Sequence, residues 1–193
     1  RHAGPACQNI IEKAMVERMK SAYHLEQFPE TGAKYQVRFA IFKDQVLLTL
    51  DASGEGLFKR GYRAIGVEAP LRETLAAALV QLSRYRGRDP FCDPFCGSGT
   101  IPIEAALIAR NRAPGLNRAF DAEQWGFVPG NSWQQAKDEA RDKEFHGSYD
   151  IWGGDVDPQA VAIARSNAHK AGVAEDIRFE VADMRTFHRV SPS

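Results

Sequence analysis

Four carboxylates stand where short apolar runs end: Asp93 after Phe91-Cys92, Asp155 and Asp157 after Ile151-Trp152-Gly153-Gly154, and Asp183 after the run from Ile177 to Val181. Between the first acid and the next apolar run lies Pro94-Phe95-Cys96-Gly97-Ser98-Gly99-Thr100. That order reads as a strand end, a tight glycine loop and a helix start. In a parallel α/β sheet the C-terminal ends of strands meet at one crevice, and ligands bind there. Carboxylates in such a place repel phosphate. They accept hydrogen bonds from an ammonium, from ribose hydroxyls and from an adenine amino group.

The glycine loop narrows the ligand further. A Walker phosphate loop requires Lys and then Ser or Thr after its last glycine, whereas Gly99 is followed by Thr100-Ile101. A dinucleotide fingerprint requires a third glycine where Pro102 stands. What remains is a ligand with an ammonium, a ribose and an adenine but no phosphate, which is the chemistry of S-adenosyl-L-methionine. Each signal has a plainer alternative. The loop is also a possible connector, Asp157 a helix N-cap, and Asp183 a solvated loop acid. Cys92 and Cys96 have no nearby cysteine or histidine to complete a zinc set, so no metal is expected.

These groups need elements to hold them. Ile10, Ile11, Ala14, Met15 and Met19 recur at helical spacing, and Tyr35, Val37, Phe39 and Ile41 alternate as a strand. Val46 to Leu50 returns as a second strand, so a hairpin is expected, closed by the turn residues Asp51 to Gly56. A helix entered through Pro70 has the apolar stripe Leu71, Leu75, Ala78, Leu79 and Leu82. A short buried strand leads into the glycine loop and its helix. Residues 113–149 then form an insertion rich in aromatics, with Ser132-Trp133-Gln134-Gln135 as a capping box for a helix running towards Phe145. After the strand Ile151–Asp157, Asp157-Pro158 opens a helix whose buried face is Val161, Ala164, Ala168 and Ala171, and Gly172 ends it. Ile177, Phe179 and Val181 alternate into the last strand. Strands alternating with helices indicate a parallel α/β sheet, here preceded by a small α+β unit.

Composition sets the outer limits. The chain has 193 residues, 44% of them hydrophobic and 26% charged, which suits a packed core. Basic and acidic residues number 25 each, so overall charge does not point to nucleic acid. Three cysteines suit a reducing cytosol better than a disulfide scaffold. No apolar run approaches a membrane span. Opening at Arg1 without a methionine, the chain reads as a piece of something longer.

The blocks Ala69-Pro70-Leu71-Arg72-Glu73-Thr74-Leu75, Asp93 to Ala105 and Gly154-Asp155-Val156-Asp157 resemble the THUMP-associated RNA methyltransferases. Leu57-Phe58-Lys59-Arg60-Gly61-Tyr62-Arg63 is similar to the linker after their THUMP domain. The resemblance implies a Rossmann-like S-adenosylmethionine-dependent sheet, present in part, that methylates guanine N2 in ribosomal or transfer RNA. Many such proteins carry an adenine-specific DNA methylase label. It implies residues 1–63 as the end of a THUMP-like RNA-binding domain with its linker, and 64–193 as the first part of the methyltransferase domain. Asp93, Pro94, Phe95, Cys96, Gly97, Ser98, Gly99 and Thr100 would surround the methionine end of the cofactor. Asp155, with Val156 and Asp157 beside it, would hold the ribose, Asp183 and Met184 would meet the adenine, and Thr74 would approach the carboxylate.

The family's Asn-Pro-Pro-Tyr segment, which orients the target amino group, is absent from these residues. The chain is therefore expected to bind cofactor, to lack an identifiable catalytic residue and to transfer no methyl by itself. Lys59, Arg60, Arg63, Arg84, Arg86 and Arg88 are either RNA-phosphate contacts or solvated charge. The insertion aromatics are either local core or base-stacking platforms. A non-catalytic RNA-binding scaffold and a DNA adenine methyltransferase are the competing functions.

Overall fold

The helical spacing of the first region produces α1 (Gly4–Tyr23). In the computed structural model, which describes residues 4–28, 31–63 and 71–186, this helix belongs to one compact unit, Arg1–Ala33. The second unit, Lys34–Ser193, contains everything else.

That second unit begins with the expected hairpin, β1 (Gln36–Phe42) paired antiparallel with β2 (Gln45–Asp51). Lys43 and Asp44 turn it with φ of 47° and 59°, the doubly left-handed geometry whose twist matches a two-residue hairpin loop. The insertion holds the hairpin's base. Arg118 donates to the carbonyls of Ser53 (2.9 Å), Glu55 (2.6 Å) and Gly56 (3.0 Å). Trp125 Nε1 donates to the Lys34 carbonyl at 2.9 Å, and the Ala122 amide to that of Ala52 at 3.2 Å. The insertion aromatics are largely local packing. Trp125 is buried and stacks on Tyr35, and Phe120 stacks on Trp133 at 5.1 Å between centroids.

α2 (Glu73–Leu82) forms, but with a different inner face from the expected one. Leu75, Leu79 and Leu82 are exposed, while Glu73, Ala76 and Val80 are buried. The reason is its neighbour α3 (Thr100–Ala109), which packs closely on α2 and is itself buried on nearly every side. Small residues at the contact let two helices approach, and leucine bulk goes outward. Pro70, expected to open α2, lies outside the described residues.

Between α2 and α3 runs β3 (Phe91–Asp93), which is not the buried strand expected. Among the described residues it is an edge of the sheet, with Cys92 exposed. Further on, α4 (Ser132–Asp142) has Asn131 at its N-cap position and no side-chain cap bond, so the capping box read at Ser132 does not form. β4 (Ile151–Asp155) and β5 (Ile177–Val181) complete a parallel sheet in the order β3-β4-β5.

α5 (Pro158–Ala171) lies between β4 and β5 in the chain and matches the sequence expectation throughout. Asp157 caps it, accepting from the Gln159 amide at 2.8 Å, and Gly172 ends it at φ 72°. Val161, Ala164, Ala168 and Ala171 are all buried. Full burial of Ile103 and Val161, in a core shared by α3 and α5, contributes about 1.5–3 kcal/mol each. Arg110 grips Asp176 with two nitrogens, fastening the end of α3 to the turn before β5.

Candidate active site

The parallel register brings Asp93 and Asp155 to the same end of the sheet, as the residue after Cys92 and the residue after Gly154. Beside them a crevice of about 400 Å³ opens. Of the expected site residues, Asp93, Phe95, Cys96, Gly97, Ser98, Thr100 and Asp157 line it. Pro94 and Gly99 complete the loop without facing the crevice. Asp155 stands one hydrogen bond behind it, its Oδ2 accepting from the Gly97 amide at 2.9 Å and its Oδ1 from the Asp157 amide at 3.0 Å. An ionised carboxylate offers about four acceptor positions, so each oxygen keeps one for a ligand hydroxyl.

The loop is fixed before any ligand arrives. The Cys96 amide donates to the Gly154 carbonyl and the Gly99 amide to the Cys96 carbonyl, each at 2.8 Å. Asn167, buried on α5, donates to the Ser98 carbonyl at 3.1 Å. The two glycines differ in use. Gly99, at φ 82°, packs inward, where a Cβ would come within 2.9 Å of the Ala164 methyl and 3.0 Å of Phe179. Gly97, at φ 50°, has open space at that position and lines the crevice. A side chain there would occupy the room a ligand needs.

Burial, and then the nearby Asp155 charge, hold the Asp93 carboxyl above its ordinary value. An incoming ammonium would neutralise that unfavourable charge. Burial likewise pushes the Cys96 thiol up to about 12, so it remains a protonated wall residue.

The outlying expectations are placed separately. Val156 is exposed in the turn before α5, and Thr74 is exposed in the first turn of α2. Asp183 and Met184 follow β5 outside the crevice lining. Arg185 binds the Asp183 carboxylate through its side chain and its amide, which lowers the acid's pKa.

Sequence reasoning missed Leu71, Ile101, Gln159, Ala160 and Ile163 in the lining. The last three follow the N-cap Asp157 on the first two turns of α5, a spacing that could have indicated them. It also missed two buried acids. Glu104 accepts from Tyr62 at 3.1 Å and from Arg60 at 3.4 Å, and Glu73 faces Arg63 at 3.7 Å. Arg60 and Arg63, read as candidates for RNA phosphates, thus point into the protein. Lys59 pairs with Glu55 at the surface, while Arg84, Arg86 and Arg88 are exposed.

Among the described residues no helix is long and apolar enough to cross a membrane, and no group of three His, Cys, Asp or Glu is placed to hold a metal.

Comparison with known proteins agrees with this geometry. The chain is 47% identical over 189 residues to YpsC of Bacillus subtilis (strain 168), which is named a candidate RNA methyltransferase. It is 40% identical over 165 residues to the ribosomal RNA large subunit methyltransferase K/L of Vibrio parahaemolyticus. These matches cover 95% and 81% of the chain but only 48% and 23% of the two relatives. Two solved structures superpose closely. One, from Listeria monocytogenes, is described as a predicted N6-adenine-specific DNA methylase (TM-score 0.93, 45% identity, 97% of this chain and 50% of that one). The other is SMU.472, a methyltransferase candidate solved with SAH (TM-score 0.90, 36% identity, 98% and 51%). Residues 60–193 match one family along their whole length, and the chain belongs to it: the RMKL-like methyltransferase domain family, whose cofactor is S-adenosyl-L-methionine.

Proposed function

We propose that these residues form the cofactor-binding part of an RNA methyltransferase acting on guanine N2 of ribosomal or transfer RNA. One observation carries the cofactor assignment. The crevice sets the hydroxyls of Ser98 and Thr100 beside the carboxylates of Asp93 and Asp157, with no lysine or arginine in its described lining to receive a phosphate. When bound, S-adenosyl-L-methionine supplies an electrophilic methyl on a sulfonium. Asp93 takes its ammonium and Asp155 the ribose hydroxyls through its unused acceptor positions. Asp183 and Met184 meet the adenine once Arg185 yields a carboxylate oxygen. Asp157 serves first as the cap of α5.

RNA as substrate is supported by the two relatives named for it. Residues 1–63 then act as a THUMP-like RNA unit with its linker and 64–193 as the methyltransferase part, working in the cytoplasm. No Asn-Pro-Pro-Tyr segment occurs in the sequence. The reading therefore gives these residues no group that orients the target amine, a positioning effect worth up to about 7–11 kcal/mol of barrier in well-aligned reactions. The name of the Listeria structure favours a second reading, adenine methylation in DNA.

Calorimetric titration with S-adenosylhomocysteine tests the cofactor assignment, and absence of binding refutes it. Incubating the 193-residue chain with labelled cofactor and undermodified ribosomal or transfer RNA, or unmethylated DNA, tests the rest. Turnover on RNA would place an amine-orienting group within these residues, and turnover on DNA would replace the first reading with the second.

A further inference from the structure

Arg63 stands behind the crevice wall and touches both of its sides. One nitrogen, Nη2, donates to the Leu71 carbonyl at 2.7 Å and to the Thr100 hydroxyl at 2.8 Å. Leu71 and Thr100 both line the crevice. Its two protons spent, Nη2 has none left for a ligand. We propose that Arg63 is a positioning residue for the amino-acid end of the cofactor, an inference that rests on the reading of the crevice just given.

The argument follows from donor and acceptor roles. A guanidinium only donates, so the Thr100 oxygen is the acceptor in this contact. The threonine proton must then point elsewhere. Its neighbour Ser98 Oγ lies at 3.5 Å, a weak partner. Thr100 is largely buried but lines the crevice, so the open side on which its proton can find an acceptor is the crevice itself. The proton is thus presented as a donor suited to a carboxylate, strengthened by the cation behind it. The ion pair of Arg63 with Glu73 is made without a hydrogen bond. Glu73 approaches Arg63 Nε only to 3.7 Å, and among the described residues neither that Nε nor Glu73 Oε2 has a hydrogen-bond partner. A zwitterionic amino-acid group would meet Asp93 with its ammonium and the Arg63-backed Thr100 with its carboxylate.

The test separates the amino-acid end from the nucleoside end. S-adenosylhomocysteine carries both, and 5′-methylthioadenosine lacks the amino acid. Both are titrated calorimetrically into the wild-type protein and into Arg63→Met and Arg63→Lys. Arg63→Met should weaken S-adenosylhomocysteine binding about tenfold or more, as loss of a charge-assisted contact implies, and leave methylthioadenosine within about twofold. Arg63→Lys keeps a charge for Glu73 but not the double contact from one nitrogen, and should fall between. It carries the test alone if the methionine variant does not fold. Equal losses for both ligands, or no loss for either, overturn the positioning role while leaving the cofactor reading intact. A wild-type protein that binds neither ligand overturns the cofactor reading and this inference with it.

Discussion

Gly97 and Asp155 lie 58 residues apart in the chain, yet the amide of one donates to the carboxylate of the other at 2.9 Å. The end of β4 therefore sets the shape of the loop that follows β3. An acid expected to hold a ribose is also what places the loop beside it.

Replacing Asp155 should act on both. Asp155→Ala removes the ligand's acceptors and frees the Gly97 and Asp157 amides. Affinity for S-adenosylhomocysteine should fall by about 1–3 kcal/mol, with little change in far-ultraviolet circular dichroism. Unaltered affinity by calorimetry would remove Asp155 from the site.

Gly97 and Gly99 should separate under the same substitution. Gly99→Ala drives a methyl towards Ala164 and Phe179 at a positive φ, and overpacking of this kind costs about 1–3 kcal/mol. Gly97→Ala meets no neighbour in the protein and carries only the left-handed backbone penalty, about 1–2 kcal/mol. Melting should show the larger loss for Gly99→Ala. The Gly97 variant should show the larger loss of cofactor affinity per degree of melting temperature. The reverse order would mean the crevice lies on the other side of the loop.

Asp93 should trade stability for binding. Its carboxyl is raised by burial and by Asp155, so the folded protein retains a proton at a pH where the unfolded chain has released it. Stability is therefore greatest below the ordinary carboxylate value and declines as pH rises through the raised folded value. At about pH 7 the charge is a cost, and Asp93→Asn should melt higher than wild type. At about pH 3, where both side chains are neutral, the difference should vanish. The same variant should lose about 1–3 kcal/mol of S-adenosylhomocysteine affinity. Melting curves at the two pH values and one titration decide the matter. A lower melting temperature at neutral pH would contradict it.

Glu104 should be among the most sensitive acids for folding. Its removal strands the Arg60 guanidinium, 12% exposed, and the buried Tyr62 hydroxyl. Glu104→Ala should cost about 3–5 kcal/mol in urea unfolding, and Glu104→Gln less, because it still accepts from Tyr62. Equal costs for the two would show that the carboxylate's charge, rather than its acceptor capacity, holds Arg60 and Tyr62 in place.

What could be read in the residues followed local rules. α5 was legible from end to end because Asp157, Pro158 and Gly172 act on their own backbone and its apolar spacing suits one face. The strand-end acids were legible because the α/β pattern fixes where strands stop. The inner face of α2 was not, since Ala76 and Val80 are buried by the approach of α3 although a stripe of three leucines carries more apolar surface than they do. Buried Glu73 and Glu104 were hidden for a related reason. An acid reads as surface until the arginine that pairs with it, some ten to forty-four residues away, is placed. The same blindness sent Arg60 and Arg63 to the solvent in the sequence reading.

The grip of Arg118 on three carbonyls of residues 53–56 bears on how such proteins can be recombined. The hairpin and the insertion are separated in the chain by the whole β3–α3 stretch, yet they form one mechanical part. A chimera that swaps the hairpin alone would inherit a guanidinium shaped for another loop. The exchangeable module is discontinuous, and a crossover placed anywhere between Gly56 and Arg118 divides it.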